Sequence, residues 1–305
     1  MIYQGRPHNL RAAFFLSDRG PEMLDASSRS LVSLGDANAH VLRLVSGQAS
    51  PVATAARYHL FAGGGRVRAQ MGLDAAYALG LSETVALCCA AAPELLHNAS
   101  LVHDDLQDGD TTRRGKPAVW SIYGRDVAIS TGDLLISAAY LAIANHPRAG
   151  AAICAMHDAI AITISGQAWA CGAKIPSSQD CAAIAAQKSG PLLALPIRLV
   201  LIAADAPGEA AAIRVGSALA VAYQTIDDLA DRTADQAAGS TNICLSLEAE
   251  GHGILEAQSI ARKRALAALT TARNDVRDIP QGAGAPFLTL ANRLEDQLKE
   301  LADAA

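Results

Sequence analysis

Aromatic residues are scarce in this sequence. They make up 4% of its 305 residues, with four Phe and two Trp. Strand-like alternation of aromatic and β-branched residues is equally sparse, which argues against a sandwich or barrel. There is no excess of basic charge: 25 Lys and Arg stand against 30 Asp and Glu, for a net charge of -5. Nucleic acid is therefore not an expected partner, because it needs a basic face. None of the six cysteines (Cys88, Cys89, Cys154, Cys171, Cys181, Cys244) forms a CxxC pair. Set mostly among Ala, Leu and Ile, they read as small apolar residues. The first thirty residues mix Arg, Asp, Glu and Pro without a long apolar block. A secretory signal is not expected, and a reducing cytoplasm is. Long clean apolar runs are missing too. The stretch Leu192 to Ala204 is broken by Pro196 and Arg198, and residues 150–170 carry His157 and Asp158. No transmembrane segment is expected.

What the chain has in quantity is Ala, Leu, Val and Ile, within a hydrophobic content of 51%. Ala and Leu are strong helix formers, so an all-α fold is expected. Helical spacing predicts a segment over Ala69–Leu81, then one capped by Ser82 and running to Asp108, with Pro93 kinking or restarting it. Gly109 to Pro117 reads as a loop. Further helices are expected over Asp126–Ala144, Ala151–Ala173, Gln179–Ala204, Glu209–Asp231, Ile260–Asp278 and Phe287–Ala302. Residues 232–242 read as a polar loop. No linker or repeat divides the chain, so one helical domain is expected over 1–305.

Two aspartate clusters carry the chemistry. The first is Asp104-Asp105-x-x-Asp108, and the second is Asp227-Asp228-x-x-Asp231. Residues four apart share one face of a helix, so each cluster places two carboxylates side by side. Such like charges repel, and each follows an apolar stretch, Ala99 to Val102 or Ala218 to Val221. One cluster alone could be a helix end running into solvent. Two of them, far apart in the chain, point to a site where hard divalent cations neutralise the carboxylates and grip a diphosphate. Arg113 and Arg114 follow the first cluster, and guanidinium groups suit phosphate oxygens. Without the clusters these would read as a solvated loop. Lys188 stands alone in an apolar helix, where a lysine that only snorkels to the surface is the plainer reading. Gly63-Gly64-Gly65 beside Arg66 and Arg68 resembles a phosphate cradle, although a glycine triplet by itself marks only a turn.

Asp104-Asp105-x-x-Asp108, then Arg113-Arg114-Gly115, then Tyr223-Gln224-x-x-Asp227-Asp228-x-x-Asp231 resemble the signature of the trans-isoprenyl diphosphate synthases. The order and separations match over roughly residues 60–245. Glu94-x-x-His97, Gly132-Asp133, Gly166-Gln167 and Lys188-Ser189 match as well. The resemblance implies an isoprenoid-synthase-like helical bundle around a deep central cavity, usually in a homodimer. It implies Asp104, Asp108 and Asp227 as ligands of three magnesium ions, with Asp231 assisting without touching an ion directly. Arg113, Lys188 and Ser189 would hold the allylic prenyl diphosphate, with Gln224 beside the forming carbocation. Arg68, His97 and Arg114 would hold isopentenyl diphosphate. The implied reaction is chain elongation. His97 could also be an ordinary, partly buried histidine, but it lies two helical turns before Asp104 on the same face.

The family's Gly-Gly-Lys-Arg-x-Arg-Pro appears here with Gly65 in the lysine position and Ala69 in the proline position. The lysine expected after the second cluster is also missing, since none occurs before Lys263. Each loss removes a charged contact worth about 1.5–3 kcal/mol. Two other readings stand beside elongation. One is a terpene-synthase-like enzyme that ionises a prenyl diphosphate alone. The other is a non-catalytic partner subunit. Product length is expected to depend on Ala99 and Ser100, just before the first cluster, and on Leu96 a turn earlier. A small residue at Ala99 leaves the shaft open and favours C20 or longer products.

Overall fold

The computed structural model of the protein describes residues 31–47, 49–170, 176–280 and 282–303. The first thirty residues and Cys171, which also carry sequence expectations, lie outside them. Among the described residues the chain forms α1 (Leu34–Leu44), α2 (Pro51–Phe61), α3 (Val67–Ala78), α4 (Glu83–Asp108), a two-stranded antiparallel ribbon of β1 (Thr112–Arg113) and β2 (Lys116–Pro117), and α5 (Val119–Tyr123). There follow α6 (Arg125–Ala142), α7 (Ala149–Ala170), α8 (Ser178–Ala204), α9 (Glu209–Ala238), α10 (Ile243–Ala249), α11 (Ile254–Asp275) and α12 (Ala285–Asp303). A 3₁₀ turn, Val276–Asp278, extends α11. The fold is all-α, as the composition requires.

Local chemistry fixes the helix starts. Ser33 and Ser177 each close a capping box with an aspartate three residues on, Asp36 and Asp180. Ser82 caps α4 as expected, accepting from the Val85 N–H. Gly109, with φ of +73°, ends the same helix in the left-handed conformation that glycine adopts without strain. Pro93 neither ends nor restarts α4. The helix runs through it, and Pro93 is buried within it. The loop expected over 232–242 narrows to residues 239–242. α9 continues to Ala238, and Asn242 then caps α10 through the Cys244 N–H. Polar composition suggested a loop, but helix capping and tertiary contact hold those residues in register.

The core is built from α4 and α8. α4 packs against α3 and α6, and α8 packs against α4, α7 and α9. Ala and Leu dominate the buried surface, so helix axes can approach closely. This bundle positions the last turn of α4, which carries the first aspartate cluster, and the stretch of α9 about two turns before its end, which carries the second.

The expectation that no segment could span a bilayer also needs correction. Among the described residues, α4 and α7 are long and apolar enough, with mean hydropathies of 1.4 and 1.3. His157 and Asp158 do not lower α7 below that level, because Ala and Ile fill the rest of the helix. In α4 the apolar window is 72% buried inside the fold, which marks a core helix. α7 is only 33% buried there and exposes Ile153, Ile162, Ile164 and Trp169.

Candidate active site

The last turn of α4 splits its aspartates between two jobs. Asp105 is 1% exposed and accepts a 2.7 Å hydrogen bond from Arg113 Nε. A second contact joins Arg113 Nη2 to the same oxygen. Arg113 also lies 3.7 Å from Asp110. The pair ties the β1–β2 ribbon back onto α4. Asp104 and Asp108 meet other helices instead. Lys188 Nζ on α8 is 3.7 Å from Asp104 Oδ2. Gln167 Nε2 on α7 donates to Asp108 Oδ1 at 3.4 Å. Gly166 makes this convergence possible. A Cβ on it would sit 2.4 Å from the Lys188 backbone nitrogen, so only a glycine lets α7 and α8 approach there. Ser189 is half-buried beside Lys188.

The second cluster repeats the division. Asp228 is buried and accepts from Gln224 Nε2 at 2.8 Å and from the Ile243 N–H at 2.7 Å. It thereby satisfies the first N–H of α10, an otherwise orphan donor. Asn242 Nδ2 adds bonds to the Asp228 carbonyl oxygen and to Asp235 Oδ2, at 2.7 and 2.9 Å. Burial pushes the Asp228 carboxyl up to about 7, with Asp227 and Asp235 adding to the rise and the two hydrogen bonds opposing it. Asp227 and Asp231 are half-buried, one turn apart on α9. In both clusters, then, the second aspartate is a structural anchor, and the first and last flank it.

A basic nest adjoins the first cluster. Arg66, at the N-terminus of α3, donates to Glu94 Oε1 at 3.0 Å and to the Leu60 carbonyl. Arg114, in the left-handed conformation with φ of +53°, donates to the Gly63 carbonyl. Its guanidinium lies directly over Gly64, where a Cβ would come within 2.5 Å of Cζ. The glycine triplet therefore seats an arginine. Arg68 lies within electrostatic reach of Glu94 on α4 and Tyr223 on α9, and burial depresses its basicity. His97 is driven well below the usual imidazole range, by burial first and then by Arg68, Arg114, His59 and Arg113. His59, 2% exposed, falls to about 3, by burial first and then by Arg114, Arg113 and Arg66, with Asn98 opposing the shift. Both imidazoles are neutral at pH 7.

The structure thus brings Asp104, Asp108 and Lys188 together, and it gathers Arg68, His97, Arg113 and Arg114. Gln224 is turned onto Asp228. Ala99 and Leu96 are buried at 1% and 2% exposure, and Ser100 Oγ donates to the His97 carbonyl. Glu94, Gln167, Asp105 and Asp228 stand in the matched motifs without a role of their own, and His59 and Asn242 stand in none. Glu94 carried a further signal as a lone acid in the apolar run Ala90 to Leu96. Asn242 and His59 had none, because their partners come from distant segments.

The model of the polyprenyl synthetase family matches residues 50–265. A Mycobacterium tuberculosis (2E,6E)-farnesyl diphosphate synthase is 34% identical over 173 residues, which is 54% of this chain and 48% of that protein. A short chain isoprenyl diphosphate synthase of Methanocaldococcus jannaschii is 32% identical over 190 residues, 60% of this chain and 58% of that one. The chain thus spans about half the length of these curated relatives. Among solved structures, the geranylgeranyl pyrophosphate synthetase of the archaeon Geoglobus acetivorans superposes with a TM-score of 0.77 at 24% identity, covering 85% of this chain and 96% of that one. That likeness establishes the fold. The matched segment contains both aspartate clusters, the basic nest and Lys188, and on it the chain belongs to the polyprenyl synthetase family.

Proposed function

We propose that the protein is a chain-elongating prenyltransferase that condenses an allylic diphosphate with isopentenyl diphosphate into a trans-polyprenyl diphosphate. One observation carries this reading. The outer carboxylates of the first cluster, Asp104 and Asp108, are met by Lys188 and Gln167 from neighbouring helices, while a separate basic nest lies beside them. That arrangement suits two diphosphates, one at the aspartates and one at the nest. The farnesyl and short-chain isoprenyl diphosphate synthases among its relatives support it.

The donor set suits magnesium, since Asp104, Asp108, Asp227 and Asp231 offer only hard carboxylate oxygens. Among the described residues no three His, Cys, Asp or Glu side chains converge into a ready-made cage. Magnesium does not need one, because it takes one or two carboxylates and completes its shell with water and substrate phosphate. Three ions shared between the clusters fit this chemistry. When bound, they would offset the charge growing on the departing diphosphate.

The chain's own groups do the rest. Lys188 adds positive charge at Asp104, where the allylic diphosphate would sit. Arg68 and Arg114 hold the second diphosphate. Neutral His97 adds a hydrogen bond without another positive charge. Leu96 and Ala99 contribute to an apolar wall that keeps water from the allylic cation. The small Ala99 supports a product of C20 or longer. The exposed apolar residues of α7, with Ile129 and Leu141 of α6, suit a homodimer contact. Cys88, Cys89, Cys154, Cys181 and Cys244 are free thiols, in keeping with a reducing cytoplasm.

The test is product analysis with C5, C10 and C15 allylic primers, with and without isopentenyl diphosphate, in magnesium or in excess chelator. Elongation requires both substrates and the metal. Consumption of the allylic substrate alone would instead indicate a terpene-synthase-like enzyme, favoured by Gly65 in place of lysine. No turnover at all would indicate a partner subunit.

A further inference from the structure

Glu94 is 2% exposed, yet it lies among guanidinium groups rather than in apolar packing. Its Oε1 accepts from Arg66 Nη1 at 3.0 Å and from Asn98 Nδ2 at 3.0 Å. Asn98 also donates to the Glu94 carbonyl oxygen at 2.7 Å, so the carboxylate is itself held in place. Arg66 has φ of +46°, a left-handed conformation that a side-chain-bearing residue keeps only when its surroundings impose it. No side chain caps the start of α3, and Arg66 is the residue that begins it. Arg68, two residues on, lies in the first turn.

We propose that Glu94 is a positioning residue for the isopentenyl half of the site: by gripping Arg66 it fixes the start of α3 and so the direction of Arg68. Two carboxylates divide the nest. Glu94 takes up Arg66 and Asp105 takes up Arg113. Arg68 and Arg114 form no ion pair among the described residues, and they carry the positive charge offered to a diphosphate. Glu94 thus holds an acid next to an anion site, and α4 carries Glu94, His97 and Asp104 in one rigid rod.

The proposal rests on the prenyltransferase reading, and it makes a prediction opposite to simple electrostatics. If Glu94 acted only through its charge, Glu94→Gln would tighten the binding of an anion. As a positioning residue, its loss weakens binding. Titration calorimetry of isopentenyl diphosphate into the full chain should show Glu94→Gln binding about tenfold more weakly than the unsubstituted protein. Arg66→Met, which breaks the same pair from the other side, should do likewise, and the double variant should be no weaker than either single one. In turnover, KM for isopentenyl diphosphate should rise in step, while KM for the allylic diphosphate stays within about twofold. Unchanged or tighter binding by Glu94→Gln, or equal loss for both substrates, would overturn the proposal. If Glu94→Gln does not fold, Arg66→Met decides by the same criteria. An unsubstituted protein that fails to bind isopentenyl diphosphate sinks the prenyltransferase reading itself. One that binds it while the variants bind equally well sinks only the role of Glu94.

Discussion

Lys188 Nζ lies 3.7 Å from Asp104 Oδ2 across the contact between α8 and α4. The two residues are distant in sequence, and each is unfavourable where it stands: a lysine in an apolar helix, an acid 7% exposed. Together they place opposite charges at one end of the core. A pair like this, with Lys188 about a quarter exposed, is worth little for stability, because solvent screens the attraction. Its position at the mouth of an aspartate cluster gives it a functional meaning.

Neighbouring aspartates should respond differently to the same change. Asp104→Asn should lower kcat/KM by about a hundred- to a thousandfold with little change in Tm. Asp105→Asn should strand Arg113 and cost about 3 kcal/mol of stability. Thermal melts and steady-state kinetics on both variants check the division. Equal stability losses would refute it.

Gly166→Ala should be disproportionately harmful. The added methyl meets the Lys188 backbone and forces α7 from α8. Overpacking of this kind costs about 1–3 kcal/mol. Because Lys188 and Gln167 flank the contact, activity should fall further than the melt predicts. A variant of unaltered stability and rate would show that the helices can separate freely.

His59 makes stability depend on pH. Its folded value, about 3, lies below the ordinary 6.5, so the unfolded chain binds a proton that the folded chain refuses. The stabilisation is complete above about 6.5 and drains away as pH falls toward 3, by up to about 1.4 kcal/mol per unit. His97 shifts in the same direction. Urea melts of parent and variant between about pH 5 and 6.5, where the Asp228 carboxyl titrates in both with the opposite sign, should show His59→Gln losing roughly one proton's worth of slope relative to the parent. An unaltered slope would place the effect elsewhere.

Ala99→Phe should shorten the product. Ala99 is 1% exposed within the core, so a ring there must project into neighbouring space or displace α4. Chromatography of the dephosphorylated products decides the matter. The same chain-length distribution as the parent would remove Ala99 from the cavity floor.

Several of these features were legible in the amino-acid order. The span of α4, from its Ser82 cap to Asp108, was readable because capping and apolar period are local. The two aspartate clusters were readable because a four-residue interval defines a shared face. The continuation of α9 beyond Asp231 was not, since a string of polar residues carries no periodic signal. Nor was the exposed apolar flank of α7, because Ala and Ile look the same in sequence whether a neighbour covers them or not.

The sequence alone determined the helical class, the limits of α4, α6 and α8 and the identity of both acidic motifs, all of which depend on residues within a few positions of one another. Tertiary structure decided which aspartate in each motif is an anchor, that Gly64 seats Arg114, and that Glu94 holds Arg66. Those assignments depend on partners far along the chain. A carboxylate's role is set by whether burial and a fixed donor have already claimed its oxygens.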